Sequence, residues 1–205
     1  MDVLLYIKFS MLTKIIFIRH CAVTYFEDPI KDLAVPLNQT GFLQALFLTN
    51  KFINNIQNLD AIYASTLLRT QQTVAGLVDY YRQDLVILTG LDEHYYNGNA
   101  MNFHKQILEN AIFKYPGGES VDDSKKRFLD TLTKILQANH GKNIIIATHG
   151  TIFSNYLIET FILDSDYFFK LTYPDVYEID YDEMLKPIKF RRRKDLLPKN
   201  FIDKL

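Results

Sequence analysis

Two of the five histidines stand directly behind short, strongly apolar runs. His20 follows residues 14–18 (KIIFI) and Arg19, and His149 follows residues 143–147 (NIIIA) and Thr148. Runs this short and this rich in β-branched residues read as fully buried strands. Ligands of open α/β sheets bind beyond the carboxyl ends of strands, so both imidazoles are expected at a binding edge. Gly150 leads into an expected helix, whose free N–H groups favour a phosphate. Arg19 flanks His20, and Arg69 lies on the helix expected after a second strand end. Two imidazoles and two guanidiniums at one edge would cage a phosphoryl group, because the planar guanidinium fork binds phosphate oxygens in pairs.

The elements that must position these groups alternate along the chain. Strands are expected over 14–18, 60–63, 85–88 and 143–147, with 176–181 closing the sheet. Helices are expected over 41–54, 66–81, 121–138 and 151–161. Ser65 is expected to cap the second of these, and Ser120 with Asp123 resembles a capping box at the start of the third. Residues 91–115 read as an irregular lobe with one helix near 103–111. The alternation predicts an α/β fold with a mostly parallel sheet and helices on both faces. The domain is expected to span 11–185, with 186–205 as a solvated tail carrying a basic cluster at 191–194. Residues 1–10 read as an extension outside the core, arising from a start codon upstream of Met11.

Bulk properties narrow the function. The chain has 205 residues, fitting one domain, and a formal charge of -1. That balance gives no general field for nucleic acid, so none is expected as a partner. No apolar run approaches the length of a membrane span, and no membrane partner is expected. One cysteine, Cys21, excludes an intrachain disulfide and suits a cytoplasmic protein. There is no His-Glu-x-x-His, no cysteine pair and no nucleotide-binding P-loop. No metal and no cofactor are therefore expected. Cys21 is no candidate for a cysteine phosphatase nucleophile, because position 27, where such a loop needs arginine, is Glu27.

Six stretches in order resemble the histidine phosphatase superfamily, also called the phosphoglycerate mutase-like family. They are Arg19-His20-Cys21, Leu37-Asn38-Gln39-Thr40-Gly41 with Gln44-Ala45, Asp60 to Ser65 with Leu67, Arg69 and Thr73, Leu91-Asp92-Glu93, Pro116-Gly117-Gly118-Glu119-Ser120, and Ile146-Ala147-Thr148-His149-Gly150. The resemblance implies a three-layer α/β/α sandwich and a phosphatase acting on small phosphate monoesters. It implies that His20 is the nucleophile that becomes phosphohistidine. Arg19, Arg69 and His149 would hold the phosphoryl oxygens, with Thr151 a further contact at the helix start. Glu93 would donate a proton to the leaving oxygen and then help activate water.

The chain departs from the family at Cys21, where glycine is usual, at Phe26, near a common asparagine, and at Tyr173-Pro174-Asp175, which replaces an asparagine-containing turn. His94 is a candidate to line the pocket; His104 and His140 read as surface residues. Tyr95, Tyr96 and Phe103 could form a substrate wall or cover the core. Glu119 reads as a loop-anchoring carboxylate rather than a second acid. A mutase that returns the phosphoryl group to bound substrate is the alternative, as is a weakly active regulatory relative. The 91–115 segment is short for a mutase's covering insertion. The expected partner is a small phosphorylated metabolite; the oligomeric state is not readable.

Overall fold

The computed structural model describes residues 12–24, 34–97, 100–110, 112–198 and 203–204. The expectations for residues 1–10 and for Phe26 lie outside them.

Six strands form one sheet in the order β3-β2-β4-β1-β6-β7. They are β1 (Thr13–Arg19), β2 (Ala61–Ala64), β3 (Leu85–Ile87), β4 (Asn143–Thr148), β6 (Asp175–Tyr181) and β7 (Pro187–Arg192). β3, β2, β4 and β1 run parallel, while β6 and β7 are antiparallel to their neighbours. A two-residue strand β5 (Thr172–Tyr173) pairs separately with β8 (Asp203–Lys204).

Alternate side chains of each strand leave opposite faces, and the core divides accordingly. Ile16, Ile18, Ile62 and Ile145 pack on one side with Leu48 and Phe52 of α1 (Gln39–Asn55) and Val74 and Leu77 of α2 (Leu68–Tyr81). Ile15, Phe17, Ile144 and Ile146 pack on the other with Phe128 and Leu132 of α4 (Val121–Ala138) and Phe153 and Leu157 of α5 (Gly150–Phe161). Burying each such side chain is worth about 1.5–3 kcal/mol, which is why the central strands are apolar on both faces. The result is the expected three-layer sandwich. Helix α3 (Ala100–Glu109) lies in the lobe between β3 and α4.

The ends of helices follow local chemistry. Asn38 caps α1 by accepting from the Gly41 N–H at 2.8 Å. Ser120 and Asp123 form the expected capping box on α4. Ser65 does not cap α2: the N-cap is Leu67, with no side-chain cap, and the Ser65 hydroxyl is used elsewhere.

The C-terminal region corrects two expectations. β6 does not close the sheet; it lies between β1 and β7. Residues 187–192 are a sheet strand rather than a solvated tail, and Leu196 and Leu197 are buried in the core behind it. The basic cluster is held by acidic partners on β6. Arg191 and Arg193 reach Glu178 at 2.8 and 2.6 Å, and Arg192 grips Asp175. Opposite charges on adjacent strands compensate what would otherwise be a repulsive run.

Candidate active site

Strand register brings the two histidines together. β1 pairs with β4 so that Arg19 lies opposite Thr148, and the His20 N–H donates to Thr148 O at 3.1 Å. His20 and His149 are thus the next residues beyond two adjacent parallel strands. Their ring centroids are 5.2 Å apart with planes tilted by 59°. β2 adds a third end: Ala64 pairs with Ala147, and the Ser65 N–H donates to Ala147 O. Arg69, on the first turn of α2, completes the group. Arg19, His20, Arg69 and His149 are each at most 2% exposed.

The His20 ring is oriented by a backbone carbonyl. Its Nδ1 lies 2.8 Å from Cys21 O. A carbonyl only accepts, so Nδ1 carries the proton and Nε2 keeps a lone pair. Burial and the flanking Arg69 and Arg19 charges hold His20 well below the usual histidine range. Burial, Arg69, His20 and Arg19 do the same to His149. Both rings are therefore neutral, and Nε2 of His20 is a free base at neutral pH.

Arg19 is held close to Tyr173 and Gly150. Its guanidinium carbon sits 3.7 Å from the centre of the Tyr173 ring. A Cβ at Gly150 would fall 2.8–2.9 Å from three guanidinium atoms, so a larger residue there would push Arg19 from this position. The aromatic face attracts the cation and fixes its plane. Nε and Nη1 of Arg19 and Nδ1 of His149 are buried with no hydrogen-bond partner among the described residues. A buried guanidinium with open donors is costly unless an anion completes it.

Glu93 is tied to the helix that follows His149. One carboxylate oxygen accepts from the His94 N–H at 2.9 Å and the Ile152 N–H at 3.0 Å; the other accepts from the Thr151 N–H at 3.1 Å. A carboxylate at the first turn of a helix meets its free N–H groups and positive dipole end. Thr151 is placed beside the site, but its N–H serves Glu93 and its hydroxyl bonds to the Tyr96 hydroxyl. The loop carrying Glu93 is pinned by Arg127 of α4. Its Nη1 donates to the carbonyls of Thr89, Gly90 and Asp92, and Nη2 to Glu93 O. Arg127 Nε and Nη2 also grip the Glu119 carboxylate, both at 2.8 Å. Glu119 is thus an anchoring group, as expected.

Cys21 is not among the described residues with positive φ, so its backbone needs no glycine. Its side chain fills a small buried cluster with Leu37 and Ala45, and its N–H donates to Thr73 Oγ1. His94 is buried against Tyr96 and Phe103, with Nδ1 bonded to Ser124 Oγ; it supports the lobe. Phe103 is fully buried and belongs to that cover, whereas Tyr95 is exposed. His140 is exposed, as expected. Among the described residues, no group of three His, Cys, Asp or Glu side chains is placed to hold a metal ion. No helix among them is long and apolar enough to cross a membrane.

The sheet and the side chains at its edge define an α/β protein with two buried imidazoles and two buried guanidiniums at adjacent parallel strand ends. The chain belongs to the histidine phosphatase superfamily (branch 1), whose match spans residues 15–189. It is 28% identical over 164 residues to the fructose-2,6-bisphosphatase TIGAR of Mus musculus, covering 70% of this chain and 60% of that protein. It is 23% identical over 162 residues to a metal-independent phosphoserine phosphatase of Arabidopsis thaliana, covering 70% and 66%. The chain thus spans less than two thirds of the length of these curated relatives. The fold superposes on Bacillus stearothermophilus YhfR with a TM-score of 0.71 at 17% identity, over 92% of this chain and 99% of that one. Both curated relatives carry the names of phosphatases.

Proposed function

We propose that the chain hydrolyses small phosphate monoesters in two in-line steps through a phosphohistidine on His20. The observation that carries this reading is the His20 ring itself. Nδ1–H is spent on Cys21 O, which leaves the Nε2 lone pair beside two buried guanidiniums. Phosphoryl transfer builds charge on the equatorial oxygens, so the protein's task is positioning plus fixed positive charge.

In the first step Nε2 of His20 bonds to phosphorus as the ester oxygen leaves. Glu93, entering the step in the protonated form that the second step regenerates, gives that oxygen its proton, so the alcohol departs neutral. Arg19, Arg69 and His149 take the three equatorial oxygens. In the second step water attacks phosphorus, Glu93 recovers a proton from it, and the His20–phosphorus bond breaks to release phosphate. The Nδ1–H bond to Cys21 O persists throughout and balances the charge on the phosphorylated ring. Splitting the reaction this way is ordinary nucleophilic catalysis.

The substrate is a small phosphorylated metabolite, reached without metal or other cofactor. The free, buried Cys21 thiol suits a reducing compartment such as the cytoplasm. Assay with p-nitrophenyl phosphate, wild type beside His20→Ala, tests the reading. Turnover by wild type and its loss in the variant is the expected result. Equal rates would remove His20 from the chemistry. Release of inorganic phosphate, rather than its transfer to an added alcohol or sugar acid, separates hydrolase from mutase.

A further inference from the structure

Ser65 sits where a helix cap was expected, yet its hydroxyl points to the active site. Its Oγ lies 2.7 Å from His149 Nε2 and 2.9 Å from Thr70 Oγ1, and it accepts from the Leu67 N–H at 3.2 Å. Ser65, Thr70 and His149 are all fully buried. Enclosed from bulk solvent, these groups share the two hydroxyl protons among themselves.

We propose that Ser65, backed by Thr70, is a positioning residue that sets the tautomer of His149, placing the ring proton on Nδ1 where it is offered to a phosphoryl oxygen. The inference rests on the reading of this pocket as a phosphoryl site. A neutral imidazole has one N–H, and its position is fixed by what the other nitrogen meets. Nδ1 has no protein partner among the described residues. A bare lone pair there would face the oxyanion and repel it. With the proton on Nδ1, Nε2 needs a donor, and the Ser65 hydroxyl is at bonding distance. Ser65 Oγ in turn accepts from Leu67 N–H and from the Thr70 hydroxyl. The chain Thr70 to Ser65 to His149 Nε2 then gives both ring nitrogens of His149 a partner once an anion is bound, at the cost of the bond from the Thr70 hydroxyl to Leu67 O, which keeps the Thr70 N–H as donor.

The reversed order competes with it. Thr70 Oγ1 also lies 2.8 Å from Leu67 O. Nε2–H could donate to Ser65, Ser65 to Thr70, and Thr70 to that carbonyl. This order leaves Nδ1 bare, so an anion in the pocket selects against it. Because burial and the neighbouring guanidiniums keep the ring neutral, tautomer rather than charge decides whether His149 can donate.

Histidine-selective 15N NMR of the protein saturated with inorganic phosphate reads the tautomer directly. The expected result is an Nδ1–H signature for His149 in the wild type. Ser65→Ala removes the donor that Nε2 needs, so it should weaken the Nδ1–H preference to a mixture of tautomers and raise the inhibition constant of phosphate and KM about tenfold, the worth of one lost hydrogen bond to an anion. The response to leaving-group pKa should stay that of wild type. Thr70→Val, which keeps the side-chain shape, should move the tautomer the same way to a smaller extent. An Nε2–H tautomer in the phosphate-bound wild type would overturn the inference, and this result needs no variant to fold. A tautomer unchanged by Ser65→Ala would also overturn it. If phosphate alters neither the His20 nor the His149 ring, the pocket reading itself fails and takes this inference with it.

Discussion

The Arg127 guanidinium grips the Glu119 carboxylate through Nε and Nη2, both at 2.8 Å, while its Nη1 spans three carbonyls of the loop that ends in Glu93. One side chain thus connects α4, the glycine-rich break before it and the loop of the candidate acid. Arg127→Met leaves these acceptors without a donor and should lower stability by about 2 kcal/mol. It should also let Glu93 drift; a displacement on the order of 1 Å is worth about a hundredfold in rate. Urea unfolding and kcat measured on an alkyl phosphate check both parts. Wild-type kcat in the variant would show that the buttress does not position the carboxylate.

Glu93→Gln keeps the side-chain shape but has no proton to give. Hydrolysis of alkyl phosphates should fall by about 10²–10⁴, the usual span for a lost general acid. p-Nitrophenyl phosphate, whose leaving group needs little protonation, should be much less affected. A plot of log kcat/KM against leaving-group pKa should steepen in the variant. Parallel plots would remove Glu93 as proton donor.

The two depressed imidazoles set a pH dependence of stability. Burial is the largest cause for both, with the Arg69 charge next. In the unfolded chain a histidine titrates near about 6.5, while in the folded protein His20 and His149 stay neutral well below that. The unfolded state therefore binds more protons on the acid side. The stability is fully present above about pH 6.5 and is lost as pH falls toward the folded values, by at most about 1.4 kcal/mol per pH unit for each ring. His94, lowered chiefly by burial, adds in the same direction. Denaturation midpoints between pH 7.5 and 5 should fall more steeply for wild type than for His149→Asn. The free enzyme's kcat/KM should keep its nucleophile through pH 6, since His20 Nε2 is not protonated there. A flat stability profile would contradict neutral buried rings.

Burial pushes the Cys21 thiol up to about 12, and the side chain is fully enclosed. A thiolate is the reactive form, so alkylation by iodoacetamide at pH 8 should be slow and should track unfolding across a urea series. Rapid labelling of the native protein would mean that this loop opens on its own.

The polar ends of β1 and β4 were legible because each short apolar run leads straight into its arginine or histidine, and parallel pairing then forces His20 and His149 together. Arg69 and Glu93 followed from the motif order. Ser65 was misread because serine before a helix usually caps it; its partner, His149, comes from a distant strand that only the register brings near. Arg127 left no local signal, being one basic residue on an amphipathic helix rich in charges. Tyr173 stands in sequence only as a departure from the family's turn, yet its ring lies against Arg19. β7 was hidden by its charges, which read as a solvated tail until Glu178 and Asp175 on the neighbouring strand supplied partners.

Rapid quenching of the protein during turnover of a 32P-labelled monoester, followed by mapping of the label, tests whether His20 carries the phosphoryl group. The label should be acid-labile, base-stable and confined to the peptide holding His20, and His20→Ala should abolish it. Label found on another residue, or steady turnover in His20→Ala, would contradict the two-step mechanism.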